Sequence, residues 1–166
     1  MKTVTGNVVH ALLGDESVPA IVLQQVNCQG VMGSGVAAEI RRVFPEVFYQ
    51  YKRLVDERDM LLPTSQLLGK LQVVEVMPNK YVANLFGQDF FGRDGTQYTS
   101  YEALDRALQS LAQWVVAHNL DVAEIHHPLF GAGLGGGSWQ IIRGLIEANL
   151  GTGTTLWVPP GMTPRA

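Results

Sequence analysis

Two glycine-dense loops, each set between an apolar stretch and a helical pattern, constrain the fold of this chain more than any other feature. The first is Asn27-Cys28-Gln29-Gly30-Val31-Met32-Gly33-Ser34-Gly35. It follows a short, β-branched apolar run over 18–26, which reads as a buried strand, and it leads into a helical pattern over 35–51. The second is Phe130-Gly131-Ala132-Gly133-Leu134-Gly135-Gly136-Gly137-Ser138, between a strand-like run over 122–129 and a helical pattern over 138–149. Glycine admits positive φ and lets a ligand approach the backbone closely. A helix start adds unpaired N–H groups and partial positive charge. Each loop is therefore a candidate site for a phosphate or a sugar hydroxyl. Ligands of open α/β sheets sit beyond the carboxyl ends of the strands, so two such loops at one edge can clamp a diphosphate from both sides. The second loop is not a dinucleotide fingerprint, because no strand with an acidic residue follows it. It is not an ATP P-loop, because no Gly-Lys-Ser/Thr follows.

The remaining chain alternates strand and helix signals. In the 35–51 pattern Val36, Ile40, Val43 and Val47 share one face and Glu39, Arg41 and Arg42 turn outward, with Pro45 as an interruption. Runs over 71–76 and 81–86 read as strands joined by a turn at Met77-Pro78-Asn79-Lys80. Thr99 or Ser100 caps a long helix with the stripe Tyr101, Leu104, Leu108, Leu111 and Val115, ending near His118, and Asn119 suits its C-terminus. A last strand covers 154–158. This alternation indicates an α/β sandwich with a mostly parallel central sheet, and the 166 residues read as one domain over 1–166.

Composition narrows the function classes. A formal net charge of −3 argues against a broad nucleic-acid surface, which is normally basic, so an anionic ligand must be held by local backbone dipoles. One cysteine, Cys28, excludes an intramolecular disulfide and a cysteine-rich zinc site, and the histidine spacing implies no metal. No apolar stretch is long enough to cross a bilayer, and the N-terminus lacks the apolar run of a signal peptide. The expectation is a cytoplasmic monomer that needs no cofactor.

The residues that carry a family resemblance run along nearly the whole chain. Gln25-Val26-Asn27 through Val36-Ala37 resembles the first binding loop of macrodomains, and His127-Pro128-Leu129 through Ser138-Trp139 resembles their second, diphosphate-binding loop. Thr5-Gly6-Asn7-Val8 resembles the family's opening Gly-Asp-Ile signature. Asn84-Leu85-Phe86-Gly87-Gln88 with Tyr98-Thr99-Ser100-Tyr101-Glu102-Ala103-Leu104 resembles the middle segment of the ADP-ribose 1''-phosphate phosphatase-like (Appr-1''-p processing) members. The resemblance implies a three-layer α/β/α macrodomain with a mixed, mostly parallel sheet, and a partner that is ADP-ribose or ADP-ribose 1''-phosphate. It further implies ligand contacts from Gly6, Asn7, Val8, Gly33, Ser34, Gly35, Val36, Leu129, Gly131, Ala132, Gly133, Leu134 and Gly135. Asn27 would orient the distal ribose, Gly33 to Gly35 would line it, and Gly131 to Gly135 would offer amides to the diphosphate. Asn7 stands where the family usually has an aspartate that accepts from the adenine amine; its side-chain carbonyl can still accept, without charge.

Two departures bear on mechanism. The glycohydrolase branch uses a lysine just after the Asn84-Leu85-Phe86 strand, where this chain has Gln88 and Asp89, and it can use an aspartate where this chain has Gly135. Glutamine cannot form a lysyl adduct. The resemblance therefore favours a phosphatase, with a non-catalytic ADP-ribose reader or a lysine-independent ADP-ribosyl hydrolase as alternatives. The candidate catalytic set is Asn27, Gln88, Asp89 and His127. His126 and His127 point to opposite faces of a strand, so one packs inward and the other, nearer the second loop, is a candidate acid or base. The segment with Gly87, Gly92 and Gly95 reads either as a mobile, solvated loop or as a flap over the distal ribose, in which Arg93 pairs a terminal phosphate and Asp89 positions a water. Cys28 reads as a small filler, and Trp139 as a core anchor.

Overall fold

The computed structural model of the chain describes residues 1–162. Among the described residues, six strands form one sheet: β1 (Lys2–Thr5), β2 (Ala20–Val26), β3 (Leu71–Met77), β4 (Lys80–Phe86), β5 (Glu124–His127) and β6 (Thr155–Val158). Their order is β1-β6-β5-β2-β4-β3. All neighbours pair parallel except β3 with β4, which are joined by a tight turn with Asn79 at φ 63°. Four α-helices of the described residues cover the two faces: α1 (Gly35–Val43), α2 (Pro45–Asp56), α3 (Tyr101–Ala117) and α4 (Trp139–Leu150).

The alternation of side chains along β2 explains the layering. Val22 and Val26 face Ile40, Val47, Tyr51 and Val55 of α1 and α2. Ile21 and Leu23 face Leu104, Leu108 and Leu111 of α3 and Ile142 and Ile146 of α4. Both faces are covered, so the strand is apolar throughout its first half rather than alternating. Each such side chain contributes about 1.5–3 kcal/mol by leaving water. The chain therefore folds as a mixed α/β/α three-layer structure.

Three details differ from the sequence expectation. The helical pattern over 35–51 is two helices: Phe44 leaves helical geometry at φ −128°, and Pro45 starts α2 at its first position, where its missing N–H costs nothing. The strand expected over 122–129 is only Glu124–His127, because Pro128 cannot donate to the ladder. The edge strand β1 and the 3-10 turns Val8–Leu12 and Thr64–Leu67 carry no strand or helix signal in the sequence. Elsewhere Ser100 caps α3 by accepting from the Ala103 N–H at 3.2 Å, and Asn119 follows the helix at φ 56°. No helix of the described residues is long and apolar enough to cross a membrane.

Candidate functional site

The carboxyl ends of the five parallel strands open into one cleft with two lobes. Over β5, β2 and β4 lies a lobe of about 580 Å³, lined by Asn27, Gly33, Ser34, Gly35, Val36, Gln88, Arg93, Leu129, Gly131, Gly133, Leu134 and Gly135, among others. Over β1, β6 and β5 lies a lobe of about 1060 Å³, whose lining includes Gly6, Asn7, Val8, Glu39, Ala132, Trp139, Trp157 and Met162. Gly35, Val36, Pro128, Leu129 and Gly133 line both, so the two loops form the waist between the lobes. Among the described residues, the first lobe has one charged side chain in its lining, Arg93, and the second has one, Glu39.

The first loop is shaped by Asn27 and a buried tyrosine. Asn27 Oδ1 accepts from Gln29 N at 2.9 Å, and its Nδ2 donates to Val31 O at 2.9 Å. The hydroxyl of Tyr51, fully buried on α2, lies 2.7 Å from Asn27 O and 2.8 Å from Asn27 Oδ1, and it accepts from Gly30 N at 3.1 Å. Asn27 thus builds the loop before it meets any ligand, with one N–H of Nδ2 left over. Ser34 starts α1 without a side-chain cap. Among the described residues, the N–H groups of Gly33 to Val36 donate to no protein acceptor. The same holds for Gly131 to Gly135 in the second loop, where Gly135 O instead accepts from Tyr98 N and Thr99 N at 2.8 and 3.0 Å. The free amides of Gly33 to Val36 at the start of α1, and those of Gly131 to Gly135 in the loop before α4, line the same cleft and suit an anion.

Beneath the first lobe runs a side-chain relay. Gln25 Nε2 donates to Gln88 Oε1 at 2.6 Å and to Thr99 Oγ1 at 2.9 Å, and Thr99 Oγ1 donates to Gly131 O at 2.8 Å. Gln88 Nε2 donates to Phe90 O at 2.8 Å. Gln88 therefore lines the lobe but is engaged at both ends of its amide. Above it the segment from Gln88 to Thr99 closes as a flap, held by an antiparallel bridge between those two residues. Phe91, Gly92 and Arg93 of the flap line the lobe, and Arg93 Nη2 donates to Ser34 Oγ at 3.1 Å.

Two of the expected catalytic side chains are not in the cleft. Asp89 Oδ1 accepts from Thr64 Oγ1 at 2.7 Å and from Gln29 Nε2 at 2.9 Å. It ties the flap to the Thr64–Leu67 turn, while the side chain of Gln88 lines the lobe. His127 is fully buried beneath the second loop, its ring 5.7 Å from Phe130 and 5.8 Å from Trp139. Its Nδ1 faces Pro128 O at 3.1 Å and its Nε2 faces Thr154 Oγ1 at 3.1 Å, and burial pushes the imidazole down to about 4. It is a neutral core histidine. His126, on the other face, accepts from Trp157 Nε1 at 2.9 Å. Cys28 is buried, with its thiol pushed up to about 12 chiefly by desolvation, which leaves it inert. Trp139 is a buried core residue, although its edge reaches the larger lobe.

The larger lobe contains what the sequence did not announce. Asn7 Oδ1 accepts from Val9 N at 3.0 Å as the cap of the Val8–Leu12 turn, which occupies one of the two acceptor positions of the carbonyl expected to meet a base. Asn7 Nδ2 donates instead to Glu39 Oε1 at 3.2 Å. Glu39, expected to turn outward, sits on the lobe's wall, one helical step from Val36, and Arg42 grips it from the solvent side. Helical spacing alone does not distinguish a solvated glutamate from one at a cleft rim. No cluster of three or more His, Cys, Asp or Glu side chains that could hold a metal occurs among the described residues.

The Macro domain family profile matches residues 24–146, and the chain belongs to the macrodomain family. It is 29% identical over 121 residues, 73% of this chain and 74% of the other, to an uncharacterized 17.5 kDa protein from the tk-vs intergenic region of Enterobacteria phage T4. It is 25% identical over 128 residues to a DNA ADP-ribosyl glycohydrolase of Mycobacterium tuberculosis, covering 74% of this chain but only 32% of that protein. It is 31% identical over 100 residues to an ADP-ribose 1''-phosphate phosphatase of Scheffersomyces stipitis, covering 54% and 57% of the two chains. The solved structure of a macrodomain protein from Streptomyces coelicolor shares the fold, with a TM-score of 0.73, 24% identity and 95% and 97% coverage.

Proposed function

We propose that the protein binds ADP-ribose derivatives and removes the terminal phosphate of ADP-ribose 1''-phosphate. The observation that carries this reading is Arg93, the one charged side chain lining the smaller lobe among the described residues, held over the free amides of the first loop through Ser34. In the proposed complex the diphosphate lies between the two amide rows, and the distal ribose sits beside Asn27 and Gly33 to Gly35. The 1''-phosphate meets Arg93, whose guanidinium forms charge-assisted bonds to phosphate oxygens. Water attacks phosphorus, the bond from phosphorus to the anomeric oxygen breaks, and the products are inorganic phosphate and ADP-ribose. With Asp89 and His127 turned away, acceleration comes from positioning and from donors aimed at the developing charge. Gln88 and Gly135, in place of a lysine and an aspartate, weigh against removal of ADP-ribose from macromolecules by a lysyl route.

Incubation with ADP-ribose 1''-phosphate tests the proposal by the phosphate released. Gly33→Glu is the control, because a side chain at Gly33 projects into open space of the lobe and so blocks the ligand without displacing protein atoms. Release above that control, lost in Arg93→Ala, is the expected result; none above it defeats the phosphatase. A second reading, an ADP-ribose reader without turnover, is favoured by the absence from the cleft of the two expected acid–base side chains. Tight ADP-ribose binding by calorimetry with no phosphate release selects it, and absence of binding defeats both.

A further inference from the structure

We propose that Glu39 selects the base of the bound nucleotide, accepting an N–H from an exocyclic amine in the larger lobe. This rests on the binding mode above and adds a specificity determinant to it. The charges orient the ligand. The phosphates and the terminal phosphate belong with the free amides and Arg93, because a phosphate in the larger lobe would face the Glu39 carboxylate. The base therefore occupies the larger lobe, whose walls include Val8, Val36 and Trp157.

A carboxylate has about four acceptor positions. Glu39 Oε1 accepts from Arg42 Nη2 at 2.6 Å and from Asn7 Nδ2 at 3.2 Å, and Oε2 accepts from Arg42 Nε at 3.1 Å. One position on Oε2 stays open among the described residues, on a side chain only 31% exposed. Asn7 is the weaker acceptor: its carbonyl is uncharged and already accepts from Val9 N, which leaves it one lone pair, and its amine points at Glu39. Asn7 and Arg42 hold the carboxylate ionised and fixed in orientation, which makes a preorganised acceptor and a poor neighbour for any base edge that presents a carbonyl. Adenine offers an amine at its 6-position; hypoxanthine offers an oxygen there.

The test compares binding of ADP-ribose and inosine diphosphate ribose to the wild type, Glu39→Gln and Glu39→Ala by calorimetry. The wild type is expected to prefer ADP-ribose by about tenfold or more, the worth of a partly exposed hydrogen bond to a charged group. Glu39→Gln, which can also donate to the hypoxanthine oxygen, should shrink that preference to within about threefold, and Glu39→Ala should weaken ADP-ribose binding about tenfold. Unfolding midpoints of the variants monitor the fold, and the ratio of the two affinities is unaffected by any uniform loss of active protein. A preference unchanged in Glu39→Gln overturns the inference while leaving ADP-ribose binding intact. Failure of the wild type to bind either nucleotide removes the binding mode itself and this inference with it.

Discussion

The two glycine loops look alike in sequence and differ in what their glycines do. In the first, a Cβ added at Gly33 or Gly35 would meet nothing within 4 Å. In the second, a Cβ at Gly135 would lie 2.5 Å from Thr99 Oγ1 and 2.8 Å from Gly131 O, and one at Gly137 would lie 2.8 Å from the same Gly131 O. Gly33 and Gly35 thus stand clear of the chain where they line the cleft, whereas Gly30, at the far end of the first loop, would bring a Cβ within 3.1 Å of the flexible Lys52 side chain. The second loop uses Gly135, Gly136 and Gly137 to let the chain fold against itself and against the segment leading to Thr99, and leaves Gly133 open to the cleft. Glycine density at a binding loop is thus two signals, one about space for a ligand and one about packing.

Adding a methyl group should separate the two. Gly135→Ala forces backbone and Thr99 apart, and overpacking of this kind costs about 2–3 kcal/mol. Denaturant unfolding should show that loss, together with weakened ADP-ribose binding. A Gly135→Ala protein as stable as the wild type would remove the packing role assigned to the second loop.

The second loop also rests on a buried histidine, which makes its base sensitive to acid. The His127 imidazole is held down to about 4 by burial, against about 6.5 in an unfolded chain. Between those values the unfolded state binds more protons, so stability is fully present above pH 6.5 and is lost as pH falls toward 4. The loss is on the order of 3 kcal/mol. His126, lowered by burial as well, acts in the same direction. Urea unfolding at pH 7 and pH 4 of the wild type and His127→Gln measures the effect; an equal acid loss in both proteins would show that His127 is not its source.

The first loop leans on one hydroxyl. Tyr51→Phe keeps the ring packed against Phe86, whose centroid is 5.8 Å away, but removes the acceptor of Gly30 N and the donor to Asn27. The expected cost is about 1–2 kcal/mol in stability. ADP-ribose affinity should fall further than stability alone explains, because the loop near Asn27 loosens. Equal affinity in Tyr51→Phe would mean that Asn27 shapes the loop without help.

Much of this arrangement was readable from the chain itself. The β-branched runs, the Ser100 cap, the Asn119 exit and the placement of both loops after strands follow from local chemistry. The glycines and charges of the 87–95 segment allowed a flap bearing Arg93 but equally a solvated loop. What local patterns could not carry were pairings across the fold: Asn27 with Tyr51, 24 positions apart, and Asn7 with Glu39, 32 apart. Helical spacing places Glu39 off the apolar stripe but does not say whether water or a cleft lies beyond it. Nothing local to Gln88 and Asp89 says which of the two meets the lobe. His127 drew attention by standing next to the second loop, and only the packing of Phe130 and Trp139 shows it to be core. The edge strand Lys2–Thr5 is four residues long and largely exposed, so neither periodicity nor hydrophobicity marks it.

The smallest stability change is the sharpest test of the contrast between the loops. Gly33→Ala adds its methyl to open space, and Gly33 is not among the positive-φ glycines. Its stability should therefore stay within about 0.5 kcal/mol of the wild type, or rise slightly as the unfolded chain loses freedom. Affinity for ADP-ribose should nonetheless drop, because the same methyl occupies volume that the ligand needs, and Gly33→Glu should abolish binding at the same stability. If Gly33→Ala is destabilised as strongly as Gly135→Ala, the loops do not differ in the way their surroundings indicate. If it is stable and binds ADP-ribose undiminished, the distal ribose lies elsewhere in the lobe.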